Sequence, residues 1–75
     1  MTREETIKKM MKLANEIMGK NGKNWTRQKE DEIWNLSLDY NRDHEDDEIF
    51  MCEYGDGDDV EGFMIEDDYW LYEDI

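Results

Sequence analysis

The sequence predicts a small α+β domain in which two N-terminal helices precede a short antiparallel β-hairpin or three-stranded sheet. Three observations predict it. Apolar residues recur at three- and four-residue intervals between Ile7 and Met18, the period of a helix with one buried face. Two runs rich in strand-forming residues, 48–54 and 60–66, flank the turn-forming stretch Gly55-Asp56-Gly57-Asp58-Asp59. Three Trp, four Tyr and two Phe supply apolar area in a chain of formal charge -13, and an aromatic side chain buries roughly 150–250 Å². The 75 residues amount to a single domain, 1–75, which buries only about 60% of the unfolded chain's surface. So thin a core leaves no room for a large catalytic cleft.

The first element opens on Thr2 and Glu5, a capping box in which the hydroxyl serves a free amide of the first turn and the carboxylate reaches back. Ile7, Met10, Met11, Ala14, Ile17 and Met18 form the apolar stripe, while Lys8, Lys9, Lys12, Asn15 and Glu16 face away. A Met-rich stripe serves adaptable partner faces as well as cores; core is the commoner fate. Gly19 is the expected C-terminal cap, with Lys20 suited to the negative end of the helix dipole. Residues 19–24 then read as a turn-rich connector. They lack the preceding strand and the Gly-Lys-Ser/Thr ending of a phosphate-cradling loop.

Thr26 is the expected N-cap of a second helix, with Glu30, Asp31 and Glu32 early in it, where negative charge is favoured. Between Ile33 and Tyr40 two periods compete. Trp34, Leu36, Leu38 and Tyr40 alternate with polar residues as in a half-buried strand, whereas Ile33, Leu36 and Tyr40 share a helical face. No breaker separates the helix-forming run 27–32 from Ile33, so continuity favours one helix from about Thr26 to Asp39, with strand as the alternative. Trp25 and Trp34 then belong in or near the core of a helical pair. Residues 41–47 are polar throughout and read as a loop, in which the single histidine, His44, is expected to be solvated.

Charge divides the chain. Residues 1–29 hold eight Lys/Arg and three Glu, whereas 30–75 hold one Arg and nineteen acids. A basic segment joined to an acidic one points to an interaction protein. It also predicts that the cationic first helix, through Lys8, Lys9 and Lys12, packs near the acidic hairpin and relieves its self-repulsion. The acids do not form a featureless tail. Residues 67–74 bracket Tyr69, Trp70, Leu71 and Tyr72 with acid pairs, which predicts a final short strand or helix.

Several chemistries are disfavoured. Cys52 is the only cysteine, so no intramolecular disulfide forms, and its place mid-strand suits a small buried hydrophobe. Calcium-loop frames starting at Asp56 or Asp43 put Glu61 or Glu48 where the sixth-position glycine is required. One Cys and one His do not close a zinc site. No cofactor motif and no catalytic constellation stands out, so neither a cofactor nor an enzymatic activity is expected. The chain opens without a signal-peptide core, and no apolar run approaches the roughly 18 residues of a membrane span, which predicts a cytoplasmic protein. Acidic surface repels both anionic lipid and nucleic-acid phosphate, so neither a membrane nor a nucleic acid is the expected partner.

The same electrostatics favour a cationic protein. Carboxylates held on alternate strand positions and in turns resemble the phosphate array that a basic DNA- or RNA-binding groove expects. Glu48, Glu53, Asp56, Asp58, Asp59, Glu61, Glu66, Asp67 and Asp68 supply the charge; Tyr54, Phe63, Tyr69, Trp70 and Tyr72 supply anchoring area. In size, acidity and lack of a catalytic motif, the chain as a whole resembles the small phage-encoded inhibitors of host defence, the anti-CRISPR and anti-restriction proteins that act as DNA mimics. That resemblance of overall character implies an inhibitor seated in the nucleic-acid groove of a CRISPR or restriction nuclease, within the host cytoplasm. The residues themselves leave open a small adaptor or regulatory subunit for a basic partner, and a calcium-binding module.

Overall fold

The structure, a computed structural model, describes the backbone of residues 1–22 and 24–72, and the side chains of these except 19–22. The chain forms helix α1 (Arg3–Gly22), helix α2 (Arg27–Arg42), a 3-10 turn (Glu45–Asp47) and strands β1 (Met51–Asp56), β2 (Asp59–Ile65) and β3 (Asp68–Leu71). The strands make one antiparallel sheet in the order β1-β2-β3. The predicted α+β architecture is therefore present in its three-stranded form, with the tail as a strand.

At the start of α1 the capping box forms as expected. The Thr2 amide donates to Glu5 Oε1 at 2.9 Å, and the Glu5 amide donates to Thr2 Oγ1 at 3.1 Å. The first of these bonds holds the Glu5 carboxyl below its ordinary pKa. Met10, Ala14, Ile17 and Met18 bury their side chains, with Ile7 and Met11 packed against the same core. The helix does not end at Gly19 but continues to Gly22. Glycine in a helix costs only about 1 kcal/mol relative to alanine, so Gly19 does not by itself end the element. The expected dipole contact of Lys20 and the closing acid pair Glu73-Asp74 fall outside the described side chains.

Helix α2 resolves the competition between periods. Thr26 caps it, its Oγ1 accepting from the Lys29 amide at 3.1 Å. Glu30, Ile33, Ser37 and Tyr40 then bury themselves at helical intervals, while Leu38 is 57% exposed, so the strand alternation between Trp34 and Tyr40 is coincidental. The helix also takes in Asn41 and Arg42, which the sequence assigned to a loop. His44 is exposed, yet its ring stacks on Tyr40 with centroids 3.9 Å apart.

Strands β1 and β2 are joined by Gly57-Asp58. Gly57 has φ 59 and Asp58 a negative φ, as in the two-residue hairpin turn that favours glycine first. The register pairs Met51 with Ile65 and Glu53 with Phe63, then shifts past Tyr54, leaving Glu61 as the bulged residue. Gly62 is required by the close approach of β3, because a Cβ there would lie 1.9 Å from the Trp70 carbonyl oxygen. The turn between β2 and β3 places Glu66 at φ 55, an uncommon conformation for a residue with a side chain.

In-register residues share a face of the sheet. Phe63 and Ile65 are fully buried and Met51 and Trp70 pack against the same core, which sets that face toward the helices. Cys52, Tyr54, Met64, Tyr69 and Leu71 occupy the opposite parity. Both helices lie on one side, and nothing covers the other among the described residues.

Candidate protein-binding surface on the sheet

Residues 48–72 carry nine carboxylates and no Lys or Arg. The structure groups them at the ends and edges of the sheet rather than along its open face. Asp56, Asp58 and Asp59 gather at the hairpin turn, with Glu61 on the adjoining bulge and Glu53 on the β1 edge. Glu66, Asp67 and Asp68 form the turn at the other end of β2. The seven residues of β2 separate the two groups by about 20 Å. Glu48 lies ahead of β1, not on it. Asp56 pairs directly with Asp59 across the ladder, and like charges placed directly opposite are destabilising.

Helix cations do not neutralise this array in the way the sequence suggested. Lys8, Lys9 and Lys12 are exposed, and Lys8 pairs within its own helix, 3.9 Å from Glu4. These lysines follow the polar face of α1, which must point away from the core for the Met stripe to be buried. Arg3 alone reaches across among the described residues. Its Nη2 donates to Glu66 Oε1 and to the Glu48 carbonyl, and its Nε lies 3.3 Å from Asp47 Oδ1 without hydrogen-bond alignment. Of the nine carboxylates, Glu66 is the one with an ion pair among the described residues.

The aromatic residues divide between two roles. Phe63 is 0% exposed, at the centre of the core, so it offers no anchor to a partner. Trp70 stacks on Phe63 with centroids 5.4 Å apart and donates its indole N–H to Asn15 Oδ1 at 3.0 Å. Tyr72 donates to Glu30. Both are held by their own chain. Tyr54 and Tyr69 instead stack on the open face, centroids 4.9 Å apart and planes 7° apart, with Tyr69 54% exposed. Gly62, in register with Tyr54, raises no side chain between the outer strands.

Sequence reasoning missed the rest of this face. Phe50 is 52% exposed just before β1, and Cys52 is half-buried on the open side rather than sunk in the core. With Met64 and Leu71 they complete a surface that is apolar and aromatic, framed by acids. The signal was the shared parity of 50, 52 and 54, but it becomes readable only once the register ties it to 64, 69 and 71.

Glu30 was read as a favourable first-turn charge, and it is that and more. Only 6% exposed, it accepts from Trp25 Nε1 and Trp34 Nε1, each at 3.0 Å, and from the Tyr72 hydroxyl. Burial pushes the Tyr72 pKa well above the tyrosine range, the hydrogen bond to Glu30 and its charge add to this, and Arg27 opposes it. The node ties Tyr72, just past β3, to α2.

Among the described residues no three His, Cys, Asp or Glu side chains converge to hold a metal ion. Nor is any described helix long and apolar enough to cross a membrane. Comparison with known protein families, characterised proteins and solved structures finds no match to this chain.

Proposed function

We propose that the protein is a non-enzymatic inhibitor that occupies the basic nucleic-acid-binding groove of a DNA- or RNA-binding protein, as a DNA mimic does. A CRISPR or restriction nuclease met in a host cytoplasm is the kind of target in view. The observation that carries the reading is the sheet module itself: nine carboxylates without a Lys or Arg on residues 48–72, set on the strands and on the turns and bulge that join them. Charge fixed in space steers a cationic groove at high rate and presents it with a geometry, which a solvated tail does not. The Asp56–Asp59 pair supports the same reading, because it accepts repulsion that a merely soluble surface has no need to keep.

The test is competition. Purified CRISPR and restriction nucleases loaded with fluorescent duplex are titrated with the chain, and release of DNA is followed by anisotropy at low and high salt. Mimicry predicts release that weakens with salt and is lost in the Asp56→Asn, Asp58→Asn, Asp59→Asn triple variant. Nucleases that bind the chain and keep their DNA would instead identify an adaptor and end the inhibitor reading.

A further inference from the structure

We infer that the open face of the sheet is the contact surface, and that it takes arginine side chains of a cationic protein on the stacked pair Tyr54 and Tyr69. The inference rests on the proposed reading of the acidic sheet as the partner-binding side, and adds which residues grip and what they grip.

The helices bury one face of the sheet and leave the other, bearing Phe50, Cys52, Tyr54, Met64, Tyr69 and Leu71, without a cover among the described residues. An uncharged aromatic surface of this kind marks an interaction site. Its frame selects the occupant. Acids stand at both ends, Asp56, Asp58 and Asp59 on one side and Asp67 and Asp68 on the other, with no Lys or Arg between residues 48 and 72. A second copy of this chain would set two such frames against each other with no cation to separate them. Nucleic acid and anionic lipid meet the same repulsion.

Arginine matches both parts of the surface. Its planar guanidinium stacks on aromatic faces and sheds water more readily than an ammonium, while its donors engage carboxylates in a bidentate manner. Tyr54 and Tyr69 offer nearly parallel rings, 7° apart, with Asp56 two positions along the chain from Tyr54 and Asp67 two positions from Tyr69. Lysine satisfies the acids but uses the rings less, because its compact ammonium holds its water more strongly. The face therefore discriminates arginine from lysine, which charge alone does not.

Hexa-arginine and hexa-lysine peptides, titrated calorimetrically at low salt, separate the two contributions. The arginine peptide is expected to bind about threefold tighter or more, the preference that one or two cation–π contacts provide. In the Tyr54→Leu, Tyr69→Leu double variant that preference disappears while lysine-peptide affinity stays within about twofold. The exposed single variant Tyr69→Leu, checked for native circular dichroism, reports the same loss if the double variant does not fold. Equal affinity for the two peptides, or a preference that survives removal of both rings, overturns the inference and leaves the charge-based function standing. Failure of both peptides to bind brings down the function itself. Sedimentation showing a dimer that protects this face would replace arginine with a second copy and also overturn the inference.

Discussion

Asn41, at the end of α2, holds the backbone of Ile49 by both of its hydrogen-bonding groups. Its Nδ2 donates to the Ile49 carbonyl at 3.0 Å, and its Oδ1 accepts from the Ile49 amide at 2.7 Å. One side-chain amide thus does what a neighbouring strand does, and it sets where the chain enters the sheet. Ile49 is buried, so both backbone groups lose their partner if Asn41 is shortened. Asn41→Ala is expected to lower stability by about 2 kcal/mol, read as a shift of the urea midpoint, since each lost bond contributes roughly 1 kcal/mol. An unchanged midpoint would mean that water replaces the amide.

The Glu30 node has a different failure pattern. Glu30→Ala leaves three donors without an acceptor and is expected to cost about 3 kcal/mol or more, a large share of a small domain's stability. Glu30→Gln keeps one oxygen for Trp25 and Tyr72 but turns an N–H group toward Trp34. Adding Trp34→Phe should recover part of the Gln loss. Additive losses in that double variant would show that the two residues do not share the bond.

Tyr72 predicts an alkaline limit. Its folded pKa lies above the ordinary tyrosine value of about 10, for which burial is the main cause. Below that pH both folded and unfolded chains keep the proton and stability is full. Above it the unfolded chain releases the proton first, so stability falls as pH rises toward the folded pKa. Urea midpoints measured across this range should decline, and Tyr72→Phe should flatten the decline while starting from lower stability. A parallel decline in the variant would assign the effect elsewhere.

Arg3 and Lys9 carry the same charge in different places, which makes them a matched pair. Arg3→Gln separates α1 from Asp47, Glu48 and Glu66, and should cost about 1 kcal/mol at low salt and less at high salt. Lys9→Gln, on the exposed side of α1, should leave the urea midpoint nearly unchanged. If both variants lose stability alike, total charge matters and the Arg3 bridge does not.

By itself the sequence determined what depends on near neighbours: the Thr2–Glu5 box, the Met10-Ala14-Ile17 stripe, the Thr26 cap and a turn within Gly55–Asp59, which the structure narrows to Gly57-Asp58 as β1 runs to Asp56 and β2 starts at Asp59. Each is settled by residues within a few positions, so period and propensity are enough to read it. The acidic composition of the sheet was legible in the same way. The tertiary structure alone decided that Glu30 lies inside and meets Tyr72, 42 residues away, and that Arg3 rather than a lysine reaches Glu66, 63 residues away. It also decided that Phe63, Trp70 and Tyr72 turn inward while Tyr54 and Tyr69 stay open. Strand register assigns those faces, and a slip of one residue would exchange them, so no local pattern of aromatics and acids could have assigned them.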